Sequence, residues 1–134
     1  MAESEALPRY IYKIVPSAAP VHEPLPERLP VSDLDQDSWF IHLSTAAQVP
    51  NTLKFFFKDE PLIYLLRIDY QNVSQNVRWE SPDGKVCGPR PGEGLFPHLY
   101  NELKLGKDEV ESVVVWQNED GWDKAINGAA LWLL

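Results

Sequence analysis

Residues 39–45 constrain the fold of this chain most, because a strand pattern and a helix start signal overlap there. In a strand, successive side chains point to opposite faces. One face is apolar, and we expect it to be core: Trp39, Ile41 and Leu43. The opposite face places a titratable ring and a hydroxyl beside an aromatic residue: Phe40, His42 and Ser44. The sequence therefore predicts a pocket at the end of this strand.

A helix is predicted directly after this strand. Thr45 and Gln48 have the spacing of a capping box, in which the threonine hydroxyl accepts from a first-turn amide and the glutamine reaches back. The helix should run to about residue 57, with Val49 and Leu53 inward together with Phe56 or Phe57. This is the main helix that the sequence predicts.

Four further segments have strand patterns. Apolar, β-branched and aromatic residues predict strands at residues 10–15, 62–69, 77–80 and 109–117. The second of these is almost entirely apolar, as expected of a central strand that is buried on both faces. Residues 118–121 form a hairpin turn signal, after which residues 122–134 should return as a strand or a short helix. Several strands with one good helix indicate an α+β fold.

Proline and glycine set the expected boundaries. Residues 1–9 are predicted to be a disordered tail, and residues 10–134 a single domain. A proline-rich insert at residues 16–30 cannot form a long regular element, although one helical turn is expected near residues 31–35. The Gly/Pro-rich segment at residues 81–94 is predicted to be a loop.

Charge and cysteine content exclude several classes of protein. The formal net charge of −8 argues against nucleic-acid binding, which needs a basic face, and against binding to an anionic membrane surface. No apolar stretch approaches the roughly 18 residues of a membrane-spanning helix. The acidic N-terminus does not resemble a secretory signal, and the single Cys87 cannot form an internal disulfide. We therefore expect a cytoplasmic or nuclear protein that is not secreted.

His42 is the first candidate for chemistry. Its imidazole titrates near neutrality and both donates and accepts hydrogen bonds. Ser44 and Thr45 are candidate ligand-binding residues. They carry hydroxyls and lie at a predicted helix start, where free backbone amides attract anions. Each has a structural alternative. The histidine can be satisfied by a backbone group inside the sheet, and the hydroxyls can serve as helix caps.

A second group of candidates lies in residues 79–100. Glu80 follows Trp79, and a carboxyl group desolvated by an indole has a raised pKa, which suits general acid–base catalysis. Pro97 favours an extended segment, so His98 and Tyr100 should face the same side. The candidate acid–base groups are thus Glu80 and His98, with Trp79, Phe96 and Tyr100 as stacking partners. The three histidines lack metal-ligand spacing, so no metal site is predicted.

These motifs together resemble the family of domains of unknown function 952. The resemblance covers residues 10–121 and rests on these segments: Ile11–Ile14, Trp39–Thr45 with Gln48, Leu62–Asp69, Trp79-Glu80, Phe96–Tyr100 and Leu103–Leu105. Phe-Ile-His-Leu-Ser-Thr and Phe-Pro-His-Leu-Tyr are specific when they occur together. The proline-rich insert and the Gly/Pro loop depart from compact members of the family.

The family is in turn similar to the ADP-ribosyltransferase-like fold, most of all to the tRNA 2′-phosphotransferases. This likeness implies a split, strongly bent β-core with a cleft shaped for NAD, which makes NAD the first candidate cofactor. Lys13 stands where those enzymes have a histidine that helps to hold NAD, and it is the residue expected to meet a phosphate. Their paired catalytic arginines have no counterparts here, so phosphate removal from RNA is not supported.

Two functions remain open at this stage. The first is a small-molecule-binding domain in which His42, Ser44 and Lys13 contact NAD, a nucleotide or another metabolite. If it is an enzyme, it would act at a ribose glycosidic bond or use a re-purposed cleft. The second is a non-catalytic binding or interaction module, with the apolar tail at residues 129–134 as its contact surface. The sequence leaves the oligomeric state open.

Overall fold

The computed structural model describes residues 7–81, 87–88, 94–128 and 132–133. Its strands are, in chain order, β1 (Tyr10–Pro16), β2 (Ile41–His42), β3 (Leu62–Asp69), β4 (Val77–Glu80), β5 (Cys87–Gly88), β6 (Phe96–Leu99) and β7 (Val110–Gln117). Its helices are α1 (Asp33–Ser38), α2 (Val49–Phe56), α3 (Tyr70–Val73), which a 3-10 turn follows, and α4 (Asp123–Gly128). The domain is a mixed α/β structure with few helices, and its strand pairings are antiparallel.

The strands form two sheets. The first has the order β1-β3-β7, and the second has the order β2-β6-β4-β5. The predicted central position of β3 is confirmed. Tyr12 and Ser44 join the sheets through two backbone hydrogen bonds of 2.8 Å each. Residue 44 follows β2, so this bridge fixes the end of the Trp39–Thr45 segment against β1.

Buried apolar side chains form two cores, one on each face of the first sheet. The first core combines side chains from both sheets, including Ile11, Ile41, Ile68, Trp79 and Leu99. The second core packs the other face of the first sheet against α2 and α4, and it includes Tyr12, Leu53, Leu65, Trp116 and Trp122. The first sheet is therefore covered on both faces, which explains why β3 is apolar along most of its length. The alternation predicted for β1 is confirmed, because its even- and odd-numbered apolar residues belong to different cores.

The reciprocal Thr45–Gln48 bonds predicted for a capping box are present, but they close a turn before α2, whose N-cap Gln48 has no side-chain capping bond. The backbone N–H of Thr45 donates to Oε1 of Gln48 at 2.9 Å, and the backbone N–H of Gln48 lies 3.3 Å from the Thr45 hydroxyl oxygen. The bonds enclose a turn, and the regular helix begins at Val49 with Pro50 in its first turn, where a missing N–H costs nothing. Val49 and Leu53 are buried as predicted.

The prediction for Trp39 is wrong. Strand β2 begins only at Ile41, and Trp39 instead ends α1 with a left-handed backbone (φ 64°) and a side chain that is 64% exposed. Alternation cannot place a residue that belongs to the preceding helix. Of the two phenylalanines offered for the inner face of α2, Phe57 packs against the second core and Phe56 is exposed.

After the predicted turn, the described residues form a helix rather than the second strand of a hairpin. After the turn at residues 118–121 the chain enters α4, so the helix alternative is confirmed and the strand alternative is wrong. Of the apolar tail at residues 129–134, the structure describes only Trp132 and Leu133, and both pack against the second core. The main-chain carbonyl of Trp132 accepts a hydrogen bond from Arg67 at 2.9 Å. These two residues thus pack on the second core and are partly buried, whereas the rest of the tail lies outside the described residues.

The proline-rich insert has no regular element within residues 17–30, as predicted. Backbone hydrogen bonds of 2.8 and 2.9 Å attach Leu29 and Pro26 to Leu105 and Lys107. The approach is so close that a β-carbon at Gly106 would overlap the main chain at Glu27, which is why glycine is needed there. Most of the predicted loop at residues 81–94 lies outside the described residues, although Cys87–Gly88 pairs with β4.

Candidate functional site

One face of the second sheet carries most of the predicted site residues. His42 of β2 and His98 of β6 are direct partners across neighbouring antiparallel strands. Residues two positions apart share a face of a strand, so Phe96 and Tyr100 lie on the same face as His98. Glu80 lies on this face too, because it pairs with Phe96. The structure therefore brings together side chains that are far apart in the sequence.

His42 is held by a buried carboxylate that the sequence did not reveal. Its Nδ1 lies 2.7 Å from Oδ1 of Asp35, and its backbone N–H donates to the same oxygen at 3.2 Å. Asp35 lies on α1 and is only 2% exposed. The other carboxylate oxygen, Oδ2, accepts a hydrogen bond from Nζ of Lys13 at 2.7 Å. Asp35 thus fixes both the ring and the main chain of His42.

The charge of Asp35 determines how the ring of His42 is protonated. Burial alone would raise the pKa of Asp35, but the hydrogen bond from His42 and the charge of Lys13 outweigh burial and lower the pKa. The carboxylate is therefore ionised at neutral pH and can only accept, so Nδ1 carries the proton. In the neutral ring, Nε2 is then a hydrogen-bond acceptor, and Nε2 makes no hydrogen bond to the described residues.

His98 forms a second carboxylate–histidine pair. Its Nδ1 lies 2.7 Å from Oε1 of Glu80, and the Tyr100 hydroxyl donates to the same oxygen at 2.7 Å. The ring of Phe40 stacks on His98 with 4.2 Å between centroids. Burial lowers the pKa of His98, although the bond to Glu80 acts in the opposite direction. His98 is therefore neutral at physiological pH.

A cavity of about 610 Å³ adjoins this face, within the range of small-molecule sites. His42, His98, Ser44 and Phe96 contribute to its wall. The proline-rich insert contributes Ala19, Leu29 and Pro30. The insert is therefore part of the cavity wall.

Four predicted ligand-binding residues do not reach the cavity as free groups, namely Lys13, Thr45, Trp79 and Tyr100, whose hydroxyl donates to Glu80 and which is not part of the lining. Lys13 lines the cavity, but its ammonium is paired with Asp35. The Thr45 hydroxyl belongs to the turn before α2. Trp79 points to the opposite face of its strand, where it is buried in the first core and its Nε1 lies 3.3 Å from the Tyr70 hydroxyl. Because Trp79 and Glu80 face opposite sides, the indole does not desolvate this carboxyl group.

Asp35 is the functional candidate that sequence reasoning missed. The available signal was the spacing of Ser32 and Asp35, since the Ser32 hydroxyl caps α1 by accepting from the Asp35 backbone N–H at 3.1 Å. That signal locates a helix start. It does not indicate that the Asp35 side chain turns inward to meet Lys13 and His42.

The described residues show neither a metal-binding group nor a membrane-spanning helix. Among them, no group of three or more His, Cys, Asp or Glu side chains is arranged to hold a metal ion. None of the helices that they form has the length and apolar character needed to cross a bilayer.

The fold and this face define a small mixed α/β domain with a histidine-lined cavity. The family model described as protein of unknown function (DUF952) matches residues 22–113. The chain belongs to this family, and the family resemblance inferred from the motifs is confirmed.

Two solved structures have a similar fold. The X-ray structure of protein CC0527 from Caulobacter crescentus has a TM-score of 0.62 at 24% identity, over 84% of this chain and 90% of that chain. The solution NMR structure of CC0527 has a TM-score of 0.65 at 25% identity, over 92% of this chain and 98% of that chain. A comparison with curated proteins gave no match.

Proposed function

We propose that the protein is a small-molecule-binding domain and that its ligand occupies the cavity beside His42. One observation carries this proposal: an imidazole whose orientation is fixed by buried Asp35 contributes to the wall of a cavity of about 610 Å³. Apolar pockets with a few fixed polar groups are the usual form of a small-molecule site. The net charge of −8 disfavours a nucleic acid as the partner.

The ADP-ribosyltransferase-like resemblance makes NAD and nucleotides the first ligands to test, with other small metabolites as the third class. That resemblance implies a split, strongly bent β-core with a cleft shaped for NAD. His42 and Ser44 both line the cavity and are suited to ribose hydroxyls. The phosphates fit less well, because the ammonium of Lys13 already pairs with Asp35 at 2.7 Å.

If the domain is an enzyme, His42 is its general base. Nε2 would accept a proton from a ligand hydroxyl or from water, and the Asp35 carboxylate would stabilise the imidazolium that forms. The geometry provides the two parts that this step requires, namely a ring fixed through Nδ1 and a second nitrogen without a partner among the described residues. The reaction would be glycosidic-bond chemistry at a ribose or a transformation of another metabolite.

Thermal shift with NAD, ADP-ribose, nucleotides and a metabolite panel tests the proposal. A ligand that binds the native state raises the melting temperature by mass action. We expect at least one compound to stabilise the wild type and the His22→Ala variant, because His22 is exposed and outside the cavity lining. The same compound should not stabilise His42→Ala. Equal stabilisation of all three proteins, or of none, would contradict the proposal.

A non-catalytic interaction module is the alternative, and exposed phenylalanines favour it. The side chains of Phe55 and Phe56, neighbours on α2, are 73% and 79% exposed. Exposed aromatic residues in a cluster often mark a contact surface. Light scattering after size exclusion, on the wild type and on Phe55→Ser, tests this function. A concentration-dependent dimer that the substitution abolishes would support the alternative, and a monomer throughout would remove self-association from consideration.

A further inference from the structure

We propose that the cavity selects an uncharged, largely apolar molecule whose single hydroxyl donates a hydrogen bond to Nε2 of His42. This inference rests on the proposed function, since it names the class of small molecule that the same cavity takes. Three independent properties of the wall support it: its apolar character, its charge and the hydrogen-bonding state of His42.

The apolar character of the wall comes from several parts of the fold. Leu29 of the proline-rich insert, Ile41 of β2 and Leu103 and Leu105 after β6 all line the cavity, and all four are buried in the first core. Transfer of an apolar ligand from water to such a wall is favourable by about 25 cal/mol per Å² of buried surface. A polar ligand body would lose its hydration without replacement hydrogen bonds.

The charge of the wall is balanced. Among the described residues that line the cavity, the lysine and carboxylate side chains are Lys13 and Asp35, which neutralise each other in a direct ion pair of 2.7 Å. A phosphate or carboxylate on the ligand would therefore meet no unpaired cation among these residues. Burial of an unpaired charge is costly, so the wall favours an uncharged ligand.

The hydrogen-bonding state of His42 determines which polar group is accepted. Because the Nδ1 proton is directed at the Asp35 carboxylate, the neutral ring presents only an acceptor at Nε2. The matching ligand group is a donor, and a hydroxyl is the simplest uncharged one. Ser44 lines the same cavity, and its hydroxyl makes no hydrogen bond to another described residue, so it can accept from or donate to a ligand in this cavity.

The mouth of the cavity extends this apolar surface to solvent. Leu34 of α1 and Phe56 of α2 both line the cavity although their side chains are 61% and 79% exposed. Large exposed apolar side chains beside an apolar cavity indicate a surface that a ligand covers. An apolar ligand body that extends from His42 towards solvent would bury both.

Three naphthalene compounds test the inference because they share one apolar body. We would measure binding of 2-naphthol, 2-methoxynaphthalene and naphthalene-2-carboxylate to the full chain by isothermal titration calorimetry. One net hydrogen bond corresponds to roughly a 3- to 10-fold change in affinity. We therefore expect 2-naphthol to bind about 3- to 10-fold more tightly than the methyl ether, with the carboxylate weakest. Equal binding of the naphthol and the ether, or tightest binding of the carboxylate, would overturn the inference.

Variants locate the probe and separate the inference from the proposed function. His42→Phe preserves a ring and should abolish the preference for the naphthol. Phe56→Ser should weaken both uncharged probes, whereas Phe55→Ser, on the same helix but outside the lining, should not. If NAD or another compound binds in a His42-dependent way while the naphthol shows no preference, the inference fails and the proposed function stands. If no compound binds at all, both fail.

Discussion

The two carboxylate–histidine pairs share one geometry and differ in their surroundings. In each pair, Nδ1 of the histidine lies 2.7 Å from a carboxylate oxygen. The two histidines are on paired strands, and their ring centroids are 5.2 Å apart. The side chain of His42 is 24% exposed, whereas that of His98 is 2% exposed and stacks under Phe40. The two pairs therefore have the same histidine–carboxylate distance and differ in how far the histidine is buried.

The difference shows how one sheet can give two paired histidines different exposure. His98, Glu80 and Tyr100 join β4 to β6 through side-chain bonds that are mostly shielded from water. That cluster gives His42 a fixed neighbour. Asp35 in turn comes from α1, outside the sheet, and fixes the His42 ring through Nδ1. We infer that the Glu80–His98 pair stabilises the fold and that the Asp35–His42 pair meets the ligand.

The largest effect should come from breaking the buried pair. His98→Ala leaves a cavity beside Phe40 and removes a partner of the buried Glu80 carboxylate. We expect a loss of about 3 kcal/mol in the free energy of unfolding, measured by urea denaturation. His22→Ala, at an exposed histidine, is the control and should change the free energy by less than about 0.5 kcal/mol. A similar small value for His98→Ala would show that the pair is not structural.

The next effect concerns the anchor of the other pair. Asp35→Asn leaves the ammonium of Lys13 without a counter-charge in a half-buried position, and we expect destabilisation of about 2 kcal/mol. Adding Lys13→Met should recover part of that loss. The exposed ion pair between Lys54 and Asp123 is the matched control, where Asp123→Asn should cost less than about 0.5 kcal/mol. No recovery in the double variant would mean that Lys13 is not the group that Asp35 neutralises.

A smaller stability effect, with a larger effect on binding, is expected at His42. His42→Ala should lower the free energy of unfolding by only about 1 kcal/mol, because its side chain borders the cavity and water can replace its bond to Asp35. The same variant should lose the ligand response in thermal shift. Destabilisation as large as that of His98→Ala, with ligand binding retained, would reverse the roles assigned to the two pairs.

The smallest effect should be in the pH dependence of stability. Burial lowers the pKa of His98 below its usual 6.5, so between these two values the unfolded chain binds more protons than the native state. The free energy of unfolding should therefore fall as the pH decreases through this window, and His98→Gln should flatten that slope.

Asp35 does not interfere with this measurement. Its pKa is lowered from 3.8, so its contribution is present above that pH and is lost only as the pH falls through its still lower folded value. Urea denaturation at several values between about pH 7 and pH 5 provides the check. A slope that persists unchanged in His98→Gln would show that another group titrates there.

Much of the fold follows from local patterns. Alternation and composition predict strands β1, β3 and β7. Spacing predicts the reciprocal Thr45–Gln48 bonds and the shared face of His98 and Tyr100. These features depend on interactions within a few residues or on a period-two geometry that every strand obeys. For the same reason, one face of β6 could be assigned before its neighbours were known.

The sequence by itself determined strands β1, β3, β4 and β7, the alternation of β1 and the candidate histidines. Only the tertiary structure decided that Asp35 pairs with a histidine 7 residues away and a lysine 22 residues away. It also decided that Trp39 caps a helix in solvent and that Trp79 is core. A local pattern fixes the direction in which a side chain points. What it meets there depends on the packing of distant segments, because contacts and desolvation come from the whole chain.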